Sequence, residues 1–348
     1  MTPGDTAPGD MVPGDPAPGD PAPDPAPGGA PPCATAPDAA VAQAPRAAAP
    51  QLTPGAERAA PAAGRLGPWS LDTVHNIDCA HGLAALPDGC LDVIVTSPPY
   101  WGQRGAGGLG AEADPRDYVA HLTAVLAEAM RCLSPTGTLW LNLGDAYNTP
   151  INWRATDHVY SSLGAEGAGL PASNSAYTKN RGRRRAFVRS DVPWLRYGNL
   201  LAIPYRVVIA MCDLGFLFRG EVIWTKTKPM PEGLCRRPHR RHEGIYVFAR
   251  SERHVFQTRP PVGSVWPLRQ TPNLTPHCST FPLDLPLWCI RAAGVEANAV
   301  VCDPFMGSGT TGRAAHMLGH RFLGFELDPA TCELANDYAR GGGPGSAP

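Results

Sequence analysis

Asn298-Ala-Val-Val-Cys302 runs without a break into Asp303-Pro-Phe-Met-Gly-Ser-Gly-Thr-Thr311. A short apolar run ended by an acid and a proline reads as a buried strand that stops abruptly. Glycines follow where the chain must turn tightly, and the residues after them open a helix whose first N–H groups face the end of the strand. A strand, glycine turn and helix in this order belong to a parallel α/β architecture, and the turn lets a ligand approach the backbone closely. No lysine follows the glycines, so a triphosphate-binding P-loop is poorly supported, while the spacing G-x-G-x-x-G is nearly met by Gly307, Gly309 and Gly312. Glu326 ends the next strand, Phe322-Leu-Gly-Phe-Glu326, 17 residues beyond Gly309. An acid there typically binds ribose hydroxyls, so the unit predicts a pocket for an adenosine-bearing cofactor. The plainer alternative is a structural strand–turn–helix with an exposed glutamate.

The rest of the chain keeps the same rhythm. Leu91 to Thr96 and Thr138 to Leu143 read as strands, with a helix between them over Asp117 to Leu133 that ends at Pro135-Thr-Gly137. Pro204 to Leu214 is a helix; Arg219 to Trp224 and Gly244 to Phe248 are strands; Pro329 to Arg340 is a final helix. This alternation predicts a doubly wound, mainly parallel sheet of the Rossmann-like kind.

Two regions depart from it. Residues 1–68 hold 17 of the 40 prolines and begin as PGD and APGD repeats. Such a segment has too little apolar surface to offset the entropy of ordering and is expected to be disordered, leaving 69–348 as the folded domain. Residues 146–200 lack periodicity and carry eight basic against three acidic residues, including Arg181, Arg183, Arg184 and Arg185. Residues 225–243 add Arg236, Arg237, Arg240 and Arg241. The domain carries 27 basic and 24 acidic residues, so these clusters stand out and suggest a face turned to a polyanion. Nine cysteines lie in the domain, none in a C-x-x-C pair and with no secretion signal ahead of them, which predicts reduced thiols in a cytoplasmic protein, not a zinc ribbon or a disulfide framework. The longest apolar stretch, Leu200 to Cys212, is too short to span a bilayer and contains Arg206.

The remaining motif is Thr96-Ser-Pro-Pro-Tyr-Trp101. Consecutive prolines stiffen the chain at the C-terminal end of a strand, where open α/β sheets bind ligands. Ser97 offers a hydroxyl acceptor, Pro98 a carbonyl that no strand partner needs, and Tyr100 a flat face. A planar group with an exocyclic amine fits that set. A rigid corner with a packed tyrosine is the plainer alternative.

Together, Thr96-Ser-Pro-Pro-Tyr-Trp101 and Asp303-Pro-Phe-Met-Gly-Ser-Gly-Thr-Thr311 resemble the amino-methylating DNA methyltransferases. The order, catalytic motif first and cofactor motif near the C-terminus, resembles their β group, a circular permutation of the S-adenosylmethionine-dependent methyltransferase fold. Asp78 to Gly89, Leu141-Asn-Leu-Gly-Asp145, Ile203-Pro-Tyr-Arg206, Ile223-Trp-Thr-Lys226, His242 to Phe248 and His277 to Pro282 resemble its connecting blocks, so the resemblance covers about residues 76–340. It implies that S-adenosyl-L-methionine is held by Asp303, Phe305, Gly307, Gly309, Thr310 and Glu326, with Asp78 at the adenine and Phe281 beside the methionine portion. It implies that Ser97, Pro98, Pro99 and Tyr100 grip a base flipped out of double-stranded DNA. Residues 146–200 and the basic residues of 226–241 become the expected target-recognition region, and a restriction endonuclease acting on the same site is the expected partner. Serine before Pro-Pro-Tyr goes mostly with cytosine N4 in this family, and Asp or Asn with adenine N6. A cytosine-C5 enzyme needs a Pro-Cys nucleophile, and the one such pair, Pro32-Cys33, is in the tail; neither H-x-E nor P-C-x-x-C of the zinc deaminases is present.

Overall fold

The computed structural model describes residues 64–102, 108–149, 188, 190–226, 237–257, 263–268 and 281–342. Eight strands form one sheet in the order β3 (Thr73–Asn76), β10 (Arg321–Glu326), β9 (Val300–Asp303), β4 (Leu91–Thr96), β5 (Leu133–Leu143), β7 (His242–Ala249), β6 (Leu217–Thr225) and β8 (Val265–Trp266). The first five are mutually parallel, β7 alone runs against its neighbours, and β6 and β8 run with the first five. The expected doubly wound sheet is therefore present, and its central strand β4 is buried along its whole length.

Alternation along β4 feeds two cores. Ile94 joins the face covered by α1 (Cys79–Ala84), α2 (Pro115–Cys132) and α3 (Ile203–Asp213), through Leu83, Leu122, Leu126, Val207 and Met211. Val93 and Val95 join the other face, covered by α4 (Asp284–Ala293), α5 (Thr310–Met317) and α6 (Pro329–Arg340), through Leu285, Ile290, Ala314 and Ala335. Each fully buried large side chain contributes about 1.5–3 kcal/mol. Across the centre, buried Asp92 accepts the Val300 N–H at 2.7 Å and ties β4 to β9.

Helix α2 starts as its sequence dictates: Asp114 caps it by accepting the Arg116 N–H at 2.8 Å, and Pro115 occupies the first turn. Its end differs from expectation. The helix stops at Cys132 and β5 begins at the next residue, so Pro135 lies inside the strand. The pairing of β4 with β5 shifts register between Leu91 and Val93, and Gly137 lies where a Cβ would come within 2.9 Å of the Asp92 carbonyl. An irregular register is where a strand tolerates proline.

The folded domain also begins before residue 69. Arg65–Leu66 (β1) pairs with Trp69–Ser70 (β2), and Leu66 is buried, because one leucine beside Trp69 suffices to cover the bottom of the first core. Residues 1–63 lie outside the described residues. So do 150–187, but both ends of that insertion are fastened together. Asn148 donates to the Val188 and Leu195 carbonyls at 2.9 and 2.5 Å and accepts the Val188 N–H at 2.9 Å, while Tyr147 bridges Leu200. The chain leaves the sheet and returns to it at one point.

Candidate active site

The C-terminal ends of β9, β4 and β5 meet the N-terminal end of antiparallel β7 along one edge of the sheet. From β4 the chain crosses to β5 on one side; from β9 it crosses to β10 on the other. That divergence makes the β4–β9 boundary the place where open sheets bind ligands.

The glycine loop closes on the β9 side. Asp303 is fully buried, and its carboxylate is engaged on both oxygens: Oδ1 by the Thr96 hydroxyl at 2.6 Å and the Phe305 N–H at 3.0 Å, Oδ2 by the Thr311 hydroxyl at 2.7 Å. Burial pushes its carboxyl up to about 6, against the opposing pull of those three donors. Asp303 thus braces the loop from beneath. Gly307 and Gly309 take φ values of 54° and 87°, in the left-handed region that glycine adopts without strain. A Cβ at Gly309 would lie 2.5 Å from the Ala335 carbonyl of α6; at Gly307 it would meet nothing closer than 3.8 Å. One glycine lets two helices pack, and the other leaves the loop open to the edge. Glu326 holds the loop from β10, with Oε2 accepting the Gly307 N–H at 3.0 Å and Oε1 the Asp328 N–H at 2.9 Å. Thr310 opens α5, and half-buried Phe305 packs on the first core. Asp78 caps α1 through the Ala80 N–H at 2.9 Å, just after β3, which pairs with β10. Phe281 packs against the second core ahead of α4.

The Ser97-Pro-Pro-Tyr corner lies on the β4 side. Tyr118 of α2 donates to the Pro99 carbonyl at 2.9 Å and fixes the corner from below. The Tyr100 ring lies against Gly144, where a Cβ would come within 2.5 Å of it. Its hydroxyl donates to Glu243 Oε2 at 2.9 Å, and burial followed by the Glu243 charge holds the phenol well above its ordinary pKa. Ser97 Oγ lies 3.2 Å from Asn142 Oδ1. The sequence assigns no role to Asn142, Glu243 and Lys226, although each stands in a block of the family resemblance.

Of the basic residues singled out in the sequence, Arg181, Arg183, Arg184, Arg185 and Arg236 lie outside the described residues. Arg237 and Arg240 come to the same edge: their guanidinium groups lie 3.8 and 5.5 Å from the centre of the Tyr147 ring, and Arg240 donates to the Asp145 carbonyl at 2.6 Å. Arg241 is exposed, and its carbonyl accepts the Lys226 N–H at 2.8 Å. Among the described residues no cluster of three or more His, Cys, Asp or Glu could hold a metal ion, and no helix is long and apolar enough to cross a membrane.

A family model described as DNA methylase matches residues 91–337. Over 285 residues the chain is 34% identical to the Type II methyltransferase M.XycI of Xanthomonas campestris pv. cyanopsidis, covering 77% of this chain and 88% of that one. It is 32% identical to M.Cfr9I of Citrobacter freundii with the same coverage, and 30% identical to M.SmaI of Serratia marcescens over 75% and 88%. Among solved structures, PvuII DNA methyltransferase (cytosine-N4-specific) superposes with a TM-score of 0.55 at 18% identity, covering 79% of this chain and 89% of that one. A DNA modification methylase from Thermus thermophilus, complexed with S-adenosyl-L-methionine, gives 0.52 at 22% identity, covering 78% and 95%. At these identities the structural likenesses speak to the fold.

Proposed function

Because the chain belongs to the amino-methylating DNA methylase family, we propose that it carries the methyl group of S-adenosylmethionine to the exocyclic N4 of a cytosine flipped out of double-stranded DNA. The observation that carries this reading is the Ser97 hydroxyl, held at the sheet edge one residue from Thr96, which is itself bonded to the first residue of the glycine loop. Acceptor and cofactor loop are thereby joined at one point.

The residues present fit S-adenosylmethionine. Open space before Gly307 admits a ligand to the backbone. Each Glu326 oxygen takes one backbone N–H, and a carboxylate has room for more donors, which suits ribose hydroxyls. Asp78 and Phe281 serve the adenine and methionine ends, Phe305 and Thr310 complete the wall, and Asp303 keeps the loop in shape. When bound, the cofactor supplies an electrophilic methyl.

The chain's own work is on the base. An amine conjugated to its ring is a poor nucleophile. Acceptance of its two hydrogens by Ser97 Oγ and the Pro98 carbonyl favours a more tetrahedral nitrogen with an exposed lone pair. Catalysis then rests on positioning and preorganised polar groups. Pro99 and Tyr100 give the corner its stiffness and a face for the flipped base, since a base within the duplex is out of reach. Arg181, Arg183, Arg184, Arg185 and Arg236, with Arg237, Arg240 and Arg241, contact DNA around it, and 146–200 is the target-recognition insertion. The Type II relatives support a role as the intracellular modification half of a restriction–modification pair.

Adenine N6 is the second reading, because the same two acceptors fit either amine; serine before Pro-Pro-Tyr favours cytosine. Incubation with unmodified DNA, followed by nucleoside mass spectrometry, tests both. N4-methylcytosine is expected. N6-methyladenine moves the protein to the second reading, and 5-methylcytosine or an unmethylated product overturns both.

A further inference from the structure

Ser97 can help an amine only if its oxygen, not its hydrogen, faces the nitrogen. A hydroxyl that donated to the amine would engage the lone pair that has to attack the methyl. Three residues from three strands decide which way that hydrogen points.

Asn142 lies one residue from the end of β5. Its Nδ2 donates to the Gly244 carbonyl at 3.1 Å and lies 3.4 Å from Glu243 Oε2. Both neighbours can only accept, so the nitrogen must face them and Oδ1 must face Ser97 Oγ and the Tyr100 hydroxyl, each at 3.2 Å. An amide oxygen also only accepts. The Ser97 hydrogen is therefore drawn toward Asn142, and its lone pairs are left for the pocket. Tyr100 has its own acceptor in Glu243 at 2.9 Å, so it need not compete for Asn142. Glu243 is in turn paired with Lys226, just beyond the end of β6. The carboxylate thus does two things at once: it fixes the Asn142 amide and takes the tyrosine proton as a hydrogen-bond acceptor.

We propose that Glu243 is a positioning residue for methyl transfer, acting through Asn142 to turn the Ser97 hydroxyl into an obligate acceptor for the target amine. Lys226 holds the carboxylate in place. The inference rests on the proposed function, and it is indifferent to which base is the substrate, because either amine donates two hydrogens.

The test is a double-mutant cycle on single-turnover transfer of tritiated methyl from S-adenosylmethionine to a plasmid that the wild-type protein methylates. Glu243→Gln is close to isosteric but offers hydrogens where only acceptors stood, which frees the Asn142 amide to turn. In the Ser97 background it should slow transfer about 10- to 100-fold, with cofactor and DNA affinity within about twofold of wild type. In a Ser97→Ala background the same change should cost less than about threefold, because the group on which it acts is gone. An equal loss in both backgrounds, or a loss below about threefold with serine present, overturns the proposal. If Glu243→Gln does not fold, the cycle between Asn142→Ala and Ser97→Ala gives the same reading: non-additive losses support the relay, and additive losses overturn it. A wild-type protein that methylates no plasmid fails the proposed function itself, before any variant is made.

Discussion

The Thr96 hydroxyl donates to Asp303 Oδ1 at 2.6 Å, joining the last residue of the catalytic strand to the first residue of the cofactor loop across 207 positions of sequence. The acceptor is a fully buried carboxyl whose pKa burial raises to about 6 from an ordinary value of 3.8. Between those two values the folded protein keeps a proton that the unfolded chain has already released. Stability from this group is therefore greatest below about pH 4, falls as pH rises to about 6, and is level above that. Asp303→Asn keeps an acceptor for Thr96 and Phe305 and removes the titration. Chemical denaturation of both proteins across about pH 4–7 should show wild type losing about 3 kcal/mol relative to the variant over that window. Parallel stability curves would mean that Asp303 is charged in the fold at every pH tested.

The two loop glycines should separate folding from cofactor binding. Gly309→Ala places a methyl 2.5 Å from the Ala335 carbonyl, at a φ of 87°, so α5 and α6 must part. A loss of about 2–4 kcal/mol in denaturant unfolding is expected, from strain and lost helix packing together. Gly307→Ala meets nothing closer than 3.8 Å and bears only the left-handed backbone cost of about 1 kcal/mol. Its methyl occupies the approach to the loop, so calorimetric titration should find S-adenosylmethionine affinity reduced at least about tenfold. The reverse pattern would exchange the roles of the two glycines.

Leu66 marks where truncation begins to matter. Deleting residues 1–63 removes a proline-rich stretch with little apolar content and should leave melting temperature and methylation unchanged. Extending the deletion through Gly67 removes buried Leu66 and the β1–β2 hairpin, and should cost about 1.5–3 kcal/mol of stability. Equal melting temperatures for the two truncations would show that the hairpin is dispensable.

Much of this is legible without coordinates. The β–turn–α units, the two motifs and their order follow from local periodicity and turn chemistry, which operate over a few residues and leave a trace in sequence. Arg65–Leu66 escapes because a two-residue strand has no period to detect, and Pro135 misleads because proline usually marks an end and here sits in a register shift. Asp303 reads as a cofactor acceptor; its partners Thr96 and Thr311 arrive from other elements and turn it inward. The Ser97–Asn142–Glu243–Lys226 chain is invisible for the same reason. Each member is an ordinary polar residue at a strand end, and only the antiparallel placement of β7 beside β5 brings them together.

The last prediction concerns DNA. Asn148 binds the returning chain at Val188 and Leu195, so the insertion between them leaves from the edge that carries Ser97 and Tyr100. Long connections of this kind inside compact domains are usually functional. Over 146–200 the sequence carries eight basic and three acidic residues, with Arg181, Arg183, Arg184 and Arg185 nearly consecutive. At the base of the insertion Arg237 lies over Tyr147 and Arg240 holds the Asp145 carbonyl, which extends the basic character back onto the sheet edge. Each phosphate neutralised releases counterions, and log affinity falls with log salt by about 0.9 per contact. Replacing the four clustered arginines by alanine should therefore flatten the salt slope by about 3 to 4, weaken binding to every sequence alike, and leave S-adenosylmethionine affinity unchanged. Fluorescence anisotropy on a labelled duplex between about 50 and about 300 mM salt measures it. An unchanged slope would make the cluster a solvated loop and shift DNA recognition to Arg236, Arg237, Arg240 and Arg241.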